Sequence, residues 1–298
     1  MHVFITGASG WIGSAVVDEL LAAGHEVVGL ARSDASADAL QAKGARVLRG
    51  DLDEPSSLRT GAADADAVIH LANKHDFAHP EVSNLAERTA IETLGDALAG
   101  SQRALVIASG VAGVGNGAPS TENDRSPFHG LQSPRGGSEN RAFDYVERGV
   151  RVVSARFAPT VHGVGDRGFI AALVGIAREK GVAGYVADGG NRWPAVHRSD
   201  AARVVRLGLE TAAPGTVLHA VGEEGVPTRV IAEAIGRGLG LPAASIEPDD
   251  VTAHFGWIGT FFGMDIPASN AITHELLGWT PSGPTLIEDL DGGSYFRS

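Results

Sequence analysis

Three glycines at i, i+3 and i+6, Gly7, Gly10 and Gly13, follow an apolar opening run and are the first residues here whose spacing implies chemistry. In Gly7-Ala8-Ser9-Gly10-Trp11-Ile12-Gly13 the first glycine permits a tight turn and the second lets backbone approach a pyrophosphate. The third lets a helix pack closely on its strand. Ser9, Trp11 and Ile12 would then stand where a helix N-terminus offers N–H groups and a positive dipole end to phosphates. The other use of such a triplet is a purely structural turn. A dinucleotide site for NAD usually adds an acid about 20 residues later, on the ribose 2′-OH. Here the second apolar run ends Leu30-Ala31-Arg32-Ser33. Arg32 can fork onto a 2′-phosphate with the Ser33 hydroxyl as a second donor, so NADP(H) is expected. Pairing of Arg32 with Asp34 or Asp38 is the plainer use, and Asp34 keeps NAD(H) open. Lys74-His75-Asp76 follows the fourth apolar run, at the carboxyl edge of the expected sheet, where ligands of open α/β sheets bind. Lys74 or His75 there could protonate an oxygen formed by hydride transfer, with Asp76 orienting the histidine. A solvated polar loop is the alternative.

These groups need a scaffold, and the flanking pattern supplies one. Met1–Thr6 reads as a strand, Ser14–Ala23 as a helix closed by Gly24, and Glu26–Ala31 as a second strand. Strands are expected at Ala45–Arg49, Ala67–Leu71, Ala104–Ala108 and Val150–Phe157. Helices are expected at Glu81–Leu98 and Ser138–Glu147. Short apolar runs separated by helical patterns mean a parallel sheet covered on both faces. The fold class expected is α/β, a Rossmann-type doubly wound parallel sheet with a smaller C-terminal substrate lobe. The stretch Gly110–Gly137 reads as a long loop, functional or mobile. Later elements are expected at Asp200–Thr211, Thr216–Val221, Thr228–Leu239 and Ala268–Leu277. Residues 1–163 would form the dinucleotide-binding domain, with 196–222 returning to its sheet. Residues 164–195 and 223–298 would form the smaller lobe.

Composition narrows the partners. Acidic residues outnumber basic ones by 36 to 24, a net charge of −12, which argues against nucleic acid or an anionic membrane. The absence of cysteine excludes disulfides and thiolate metal sites. Eleven histidines show no His-x-x-x-His spacing, so no metal site is expected. No apolar stretch reaches membrane-spanning length, and the chain enters its first strand without room for a signal peptide. A cytoplasmic location is the expectation.

Five segments in order resemble the extended short-chain dehydrogenase/reductase family of epimerases, dehydratases and dihydroflavonol-type reductases. They are Thr6 to Gly13, Gly50-Asp51-Leu52, His70-Leu71-Ala72, the run Arg156-Phe157-Ala158-Pro159-Thr160-Val161-His162-Gly163, and Ala195 to Ala202. The resemblance implies that Asp51 accepts from the adenine amino group, with the Leu52 backbone beside it. Asp51 as a cap for a short helix at Pro55–Gly61 is the alternative. Leu71, Ala72 and Pro159 join the cofactor set by the same resemblance, Ala72 through close approach to the ribose. His70 reads as a packed, hydrogen-bonded core histidine.

The resemblance also exposes a gap. The family uses a Ser/Thr and a Tyr-x-x-x-Lys pair, and this chain has no such pair. Aligned on Pro134 to Glu139, Arg135 takes the lysine position and Leu131 the tyrosine position. Arg135 can bind ribose hydroxyls but cannot be deprotonated. Ser109, at the end of strand five, could bond a substrate oxygen or serve as a cap. Tyr145 falls well inside the following helix. His162 stands where the family often has a tyrosine, and His197 heads a later helix; each lines a pocket or is structural. Lys74, His75, Ser109 and His162 are thus the catalytic candidates. Trp193, Phe255, Trp257, Phe261, Phe262 and Met264 are ordinary core, or close over an apolar or aromatic carbonyl compound. No Arg-rich clamp for a nucleotide-sugar diphosphate is visible. The expected function is NADP(H)-dependent reduction of a ketone or aldehyde, with a basic residue or ordered water replacing the tyrosine. The alternatives are a non-catalytic NADP(H)-binding redox sensor and a sugar epimerase or dehydratase, the latter disfavoured by the missing tyrosine. A homodimer through helices flanking the long Glu81 helix follows only from the resemblance.

Overall fold

Runs of Val, Ile, Leu and Ala too short for helices become strands, and the longer mixed stretches between them wind up. The computed structural model describes residues 1–76, 79–115 and 118–297. Its first half runs β1 (His2–Thr6), α1 (Trp11–Ala22), β2 (Glu26–Ala31), α2 (Asp34–Ala42), β3 (Arg46–Arg49), α3 (Pro55–Ala63), β4 (Ala67–His70), α4 (Pro80–Leu98), β5 (Ala104–Gly110), α5 (Ser138–Phe143) and β6 (Arg151–Phe157). The second half runs β7 (Thr160–His162), α6 (Phe169–Lys180), β8 (Ala183–Val186), β9 (Arg192–His197), α7 (Arg198–Thr211), β10 (Thr216–Ala220), β11 (Glu223–Pro227), α8 (Thr228–Leu239) and β12 (Ala243–Ile246). Four short helices close it: α9 (Val251–Phe255), α10 (Gly259–Phe262), α11 (Ala271–Leu277) and α12 (Leu286–Asp291). No helix among the described residues is long and apolar enough to cross a membrane.

Seven strands form the central sheet in the order β10-β6-β5-β4-β1-β2-β3. The pairings of β1 with β2 and β4, of β2 with β3 and of β4 with β5 are parallel. This is the Rossmann-type doubly wound architecture that the alternating pattern implies. The strand order reverses beside β1, which opens a crevice at the carboxyl ends of β1 and β4. There the register sets Thr6 beside His70, and His70 beside Ile107.

Packing divides the chain into two units. One comprises Met1–Ser109, Arg125–Arg156 and Ala202–Leu218. Its core joins Phe4, Val68 and Leu105 of the sheet to Leu58 of α3 and Ile91, Leu94 and Leu98 of α4. The other comprises Gly110–Asp124, Phe157–Ala201 and His219–Ser298. It holds a three-stranded sheet, β11-β9-β7, and a two-stranded sheet, β12-β8. Its core gathers Ile170, Val174, Trp193, Ile231, Phe255, Phe262 and Leu290.

Two helices are shorter than their periodicity suggests. The helix expected over Ser138–Glu147 ends at Phe143, and the chain continues in three-residue turns such as Tyr145 N–H to Ala142 O. The tightening buries the Tyr145 ring over Gly95 of α4, where a β-carbon would lie 2.6 Å from the ring. The helix expected from Ala268 begins at Ala271, because Ala268 bridges to Ser120 and donates its N–H to Glu224 O. The loop between Gly110 and Gly137 is tied down in part: buried Glu122 accepts from the Thr273 N–H and hydroxyl, at 2.7 and 2.6 Å. Residues 116 and 117 of that loop lie outside the described residues.

In the first unit, Glu139 of α5 and Arg156 of β6 form a buried pair, Arg156 Nε donating at 2.8 Å, with the Ser154 hydroxyl on the same carboxylate. Removing one partner strands a buried charge, a loss of roughly 3–5 kcal/mol. Glu139→Ala should therefore lower the denaturant midpoint by that much, and a loss under about 1 kcal/mol would show that water replaces the carboxylate.

Candidate functional site

The glycine turn is built by exclusion. Gly7 has φ +70°, and a β-carbon there would sit 2.6 Å from the Ala72 nitrogen, so β1 turns directly against the exit of β4. Leu71 N–H donates to Thr6 O and Ala72 N–H to the Thr6 hydroxyl, fixing that exit. A β-carbon on Gly13 would come within 2.0 Å of Gly7 O, so α1 stands on the turn itself. At Gly10 only Gly7 O, at 3.1 Å, would crowd a β-carbon, and the remaining space is open. No side chain caps α1 and no acid stands in its first turn. Ser9 and Gly10 are exposed, with Trp11 and Ile12 half-buried beside them. This cradle fits a pyrophosphate on backbone N–H groups.

Past β2 two arginines stand against carboxylates. Arg32 is 81% exposed, with Nε 3.8 Å from Asp51 Oδ2. Ser33 caps α2, its hydroxyl oxygen accepting from Ser36 N–H at 3.2 Å. Asp34 accepts from Arg49 Nη2 at 2.7 Å, Arg49 being the partner of Ala31 across β2 and β3. Asp51 turns inward on its own loop, accepting from Asp53 N–H at 3.0 Å, while Glu54 occupies the cap position of α3. Leu52 packs on the core of this unit.

At the carboxyl ends of β4 and β5 a buried acid gathers the polar groups. Glu87, on α4, is 1% exposed. Its Oε1 accepts from Arg135 Nη2 at 2.7 Å and its Oε2 from Asn73 Nδ2 at 2.8 Å. Arg135 Nη2 also donates to Ala108 O at 3.1 Å, while Arg135 Nε is buried without a partner. Asn73 Oδ1 accepts the His75 N–H at 2.8 Å. Both His75 and Arg135 hold left-handed backbone, φ 51° and 54°. Such conformations cost of order 1–3 kcal/mol on non-glycine residues and gather where the surroundings over-determine the geometry.

His70 lies fully buried behind this group, Nδ1 2.7 Å from the Thr6 hydroxyl. That hydroxyl also accepts from Ala72 N–H, and the far ring nitrogen, Nε2, lies 3.9 Å from Glu87 Oε1. Burial keeps this imidazole below the usual histidine range. Solvent reaches His75, yet the protein crowds its other face. That desolvation, then the Arg135 charge, likewise lowers its pKa, against the Glu87 charge. Lys74 points elsewhere, its Nζ 2.7 Å from Asp53 Oδ1. Ser109 is half-buried at the end of β5. Tyr145 is structural: its hydroxyl donates to Glu92 O and lies 3.1 Å from Asp96 Oδ1. Burial, with the Asp96 bond, raises its pKa.

In the second unit, His162 is fully buried, with Nδ1 2.6 Å from Asp289 Oδ2 and Nε2 4.0 Å from Glu223 Oε2. Burial lowers its pKa against the pull of Asp289. His197 meets the same ring edge-on at 5.6 Å, and Pro159 is half-buried just before β7. Phe169 stacks near Trp193, Trp257 and Phe261 at 5.3 to 5.8 Å, and Trp257 and Met264 are exposed. Among the described residues no three His, Cys, Asp or Glu side chains converge to hold a metal.

The sequence reading missed Glu87, Asn73 and Arg49. Glu87 carried a signal: it lies on the apolar stripe of α4 with Ala90, Ile91, Leu94 and Leu98, an acid where a hydrophobe is expected.

The family model described as the NAD dependent epimerase/dehydratase family matches residues 3–221. An uncharacterized protein of Schizosaccharomyces pombe is 41% identical over 297 residues, 99% of this chain and 100% of the relative. A 4-hydroxy-2-methyl-3-oxo-4-farnesyl-3,4-dihydroquinoline-1-oxide ketoreductase of Stigmatella aurantiaca is 29% identical over 60% of this chain and 56% of its own length. Among solved structures, a dTDP-glucose 4,6-dehydratase of Streptomyces venezuelae with NAD bound superposes with a TM-score of 0.79 at 21% identity, covering 100% of this chain and 97% of that one.

The two later glycines should separate binding from folding. Gly10→Val should leave the melting temperature nearly unchanged and abolish NADPH binding in a fluorescence titration. Gly13→Ala should unfold or strongly destabilise the protein, since its β-carbon meets backbone. A stable Gly13→Ala, or an undiminished affinity in folded Gly10→Val, would contradict the cradle.

Proposed function

The chain belongs to the NAD dependent epimerase/dehydratase family, and from that premise we propose that it is an NADP(H)-dependent reductase of small apolar or aromatic ketones or aldehydes. The observation that carries this reading is the Glu87–Arg135–Asn73–His75 group, which brings a fixed cation and a titrating imidazole to the sheet edge where the family's tyrosine and lysine would act. Bound nicotinamide supplies hydride to the carbonyl carbon, and the protein must supply a proton to the oxygen. Gly7 to Gly13 hold the pyrophosphate on backbone, Arg32 and Ser33 hold the 2′-phosphate, and Asp51 and Leu52 border the adenine. Leu71, Ala72 and Arg135 hold the ribose and nicotinamide end. Arg135 stabilises negative charge at the carbonyl oxygen through its N–H groups without giving up a proton to it. His75, as imidazolium, gives its ring proton to that oxygen; Ser109 orients it.

Lys74 is the weaker donor because Asp53 holds it. His162 is assigned to the architecture of the second unit, where Asp289 holds it. The solved neighbours favour a sugar epimerase or dehydratase. Both need reversible proton chemistry at a hydroxyl, and Leu131 at the tyrosine position offers none.

Two measurements test this. First, NADPH should bind more tightly than NADH, and Arg32→Ala should cost about tenfold in NADPH affinity, the low end for a charged bond because Arg32 lies in solvent. Arg49→Ala should free Asp34 for a 2′-OH and raise NADH affinity. An unchanged preference in both variants would remove the 2′-phosphate reading. Second, NADPH oxidation should be followed with acetophenone, benzil and a long-chain methyl ketone across pH. A donor whose pKa lies below the usual histidine value is protonated only below that pKa, so kcat should fall as pH rises through it. His75→Ala should flatten that limb and cost roughly 10²-fold or more. A pH-independent kcat in the wild type would assign the proton to another group.

A further inference from the structure

We propose that Glu87 is the positioning residue of this site, fixing Arg135 and the His75-bearing segment as one unit through its two carboxylate oxygens. The proposal rests on the reading of this sheet edge as the place of reaction. It goes beyond that reading by assigning the geometry to a residue that touches neither cofactor nor substrate.

The argument begins with where Glu87 sits. The apolar stripe of α4 carries Ala90, Ile91, Leu94 and Leu98 into the core, and Glu87 is one turn before them on the same face. A carboxylate so placed loses its water and must be matched by donors. It is matched twice, each oxygen by a different segment. Oε1 takes Arg135 Nη2, from the turn before α5, and Oε2 takes Asn73 Nδ2, from the exit of β4. Neither segment is regular, and each contains a left-handed non-glycine residue, Arg135 itself and His75. Both are therefore strained segments held by one acid.

The consequence reaches the reacting groups by short paths. Asn73 spends its amide N–H on Glu87 and its carbonyl on the His75 N–H, so its orientation fixes the backbone that carries the imidazole. Arg135 bridges Glu87 and Ala108 O, so its guanidinium is anchored from one side, with Nε still unpartnered. In the family, tyrosine and lysine are coupled by standing one helical turn apart. Here no helix links residue 75 to residue 135, and Glu87 supplies the link.

The experiment compares the full-length wild type with Glu87→Gln, Arg135→Gln and the double variant. The first readout is the His75 ring titration by NMR, which needs no turnover. The Glu87 charge raises the His75 pKa and the Arg135 charge lowers it, so Glu87→Gln should move it down and Arg135→Gln up. The second is the steady-state reduction of benzil at saturating NADPH. Misplacement of about 1 Å costs roughly 10²-fold, so Glu87→Gln should lower kcat by about that factor with KM for benzil little changed. The third is thermal stability. Removing both charges avoids a stranded guanidinium, so the double variant should recover the melting temperature lost by Glu87→Gln while its turnover stays low. A wild-type His75 titration and wild-type turnover in Glu87→Gln would reduce Glu87 to a packing residue. If Glu87→Gln does not fold, the double variant against Arg135→Gln gives the same comparison, and identical titration and turnover in those two would overturn the proposal. If His75 moves as expected while no form reduces any carbonyl, the positioning role stands and the reductase reading falls.

Discussion

Helix α1 can stand on the end of β1 only because residue 13 carries no side chain, and β1 can turn against β4 only because residue 7 carries none. These two contacts, 2.0 Å and 2.6 Å from where β-carbons would lie, set the rest of the first unit. They bring the exit of β4 beside the turn, so that Leu71 and Ala72 donate back to Thr6. They fix Thr6 against His70 and thereby the depth at which Asn73 leaves the sheet. Everything downstream at this edge inherits that placement. The uncapped start of α1 is a further result of the same packing: chain that could have supplied a capping side chain is spent on the glycine turn.

Behind the turn lies a layer of buried polarity that the hydrophobic core alone would not tolerate. Burial lowers the pKa of His70, and Glu87 is bonded by Arg135 and Asn73. A buried acid of this kind is weak evidence for stability, because an apolar residue of similar size is often as good or better there. Its place on an apolar stripe is explained by what it orders. The two strained residues support this, since left-handed backbone at Arg135 and His75 persists only where other contacts hold it. The Glu139–Arg156 pair shows the contrast. It joins two regular elements, α5 and β6, carries no strained residue, and acts as a brace between helix and strand.

Much of the fold was legible because its signals are local. The alternation of short apolar runs and helical stretches gives the doubly wound sheet, and the glycine spacing gives the turn. Helix ends were less legible where tertiary packing overrides periodicity: Tyr145 needs the space over Gly95, which shortens α5, and the bridge of Ala268 to Ser120 delays α11. On the cofactor side the sequence offers motifs, the glycine turn above all, whereas on the side of the proposed proton transfer it offers none. Lys74 and His75 are adjacent in sequence and looked interchangeable, yet one faces Asp53 and the other the field of Arg135. Nothing local distinguishes them. Glu87 lies 14 residues from Asn73 and 48 from Arg135 in the chain, and only the folded helix brings its two oxygens between them.

The missing tyrosine then acquires a physical meaning. In a tyrosine–lysine pair one cation does two tasks, binding the ribose and lowering the pKa of the phenol, and a lysine suits both because it is a compact charge on a mobile stem. On the proposed reading, which sets Leu131 at the tyrosine position and Arg135 at the lysine position, there is no phenol to tune. An arginine loses nothing there by being permanently charged, and its planar fork allows it to be anchored by Glu87 and Ala108 O while other donors face outward. The cost of the exchange is that proton supply is no longer coupled to the cation through a shared helix. A separate titrating group must be held at a fixed place relative to the guanidinium, and its pKa will follow its burial first and that charge second. A buried carboxylate that bonds both segments meets the requirement: it holds the two groups together and, by its opposite charge, offsets part of the depression that the guanidinium imposes on the imidazole.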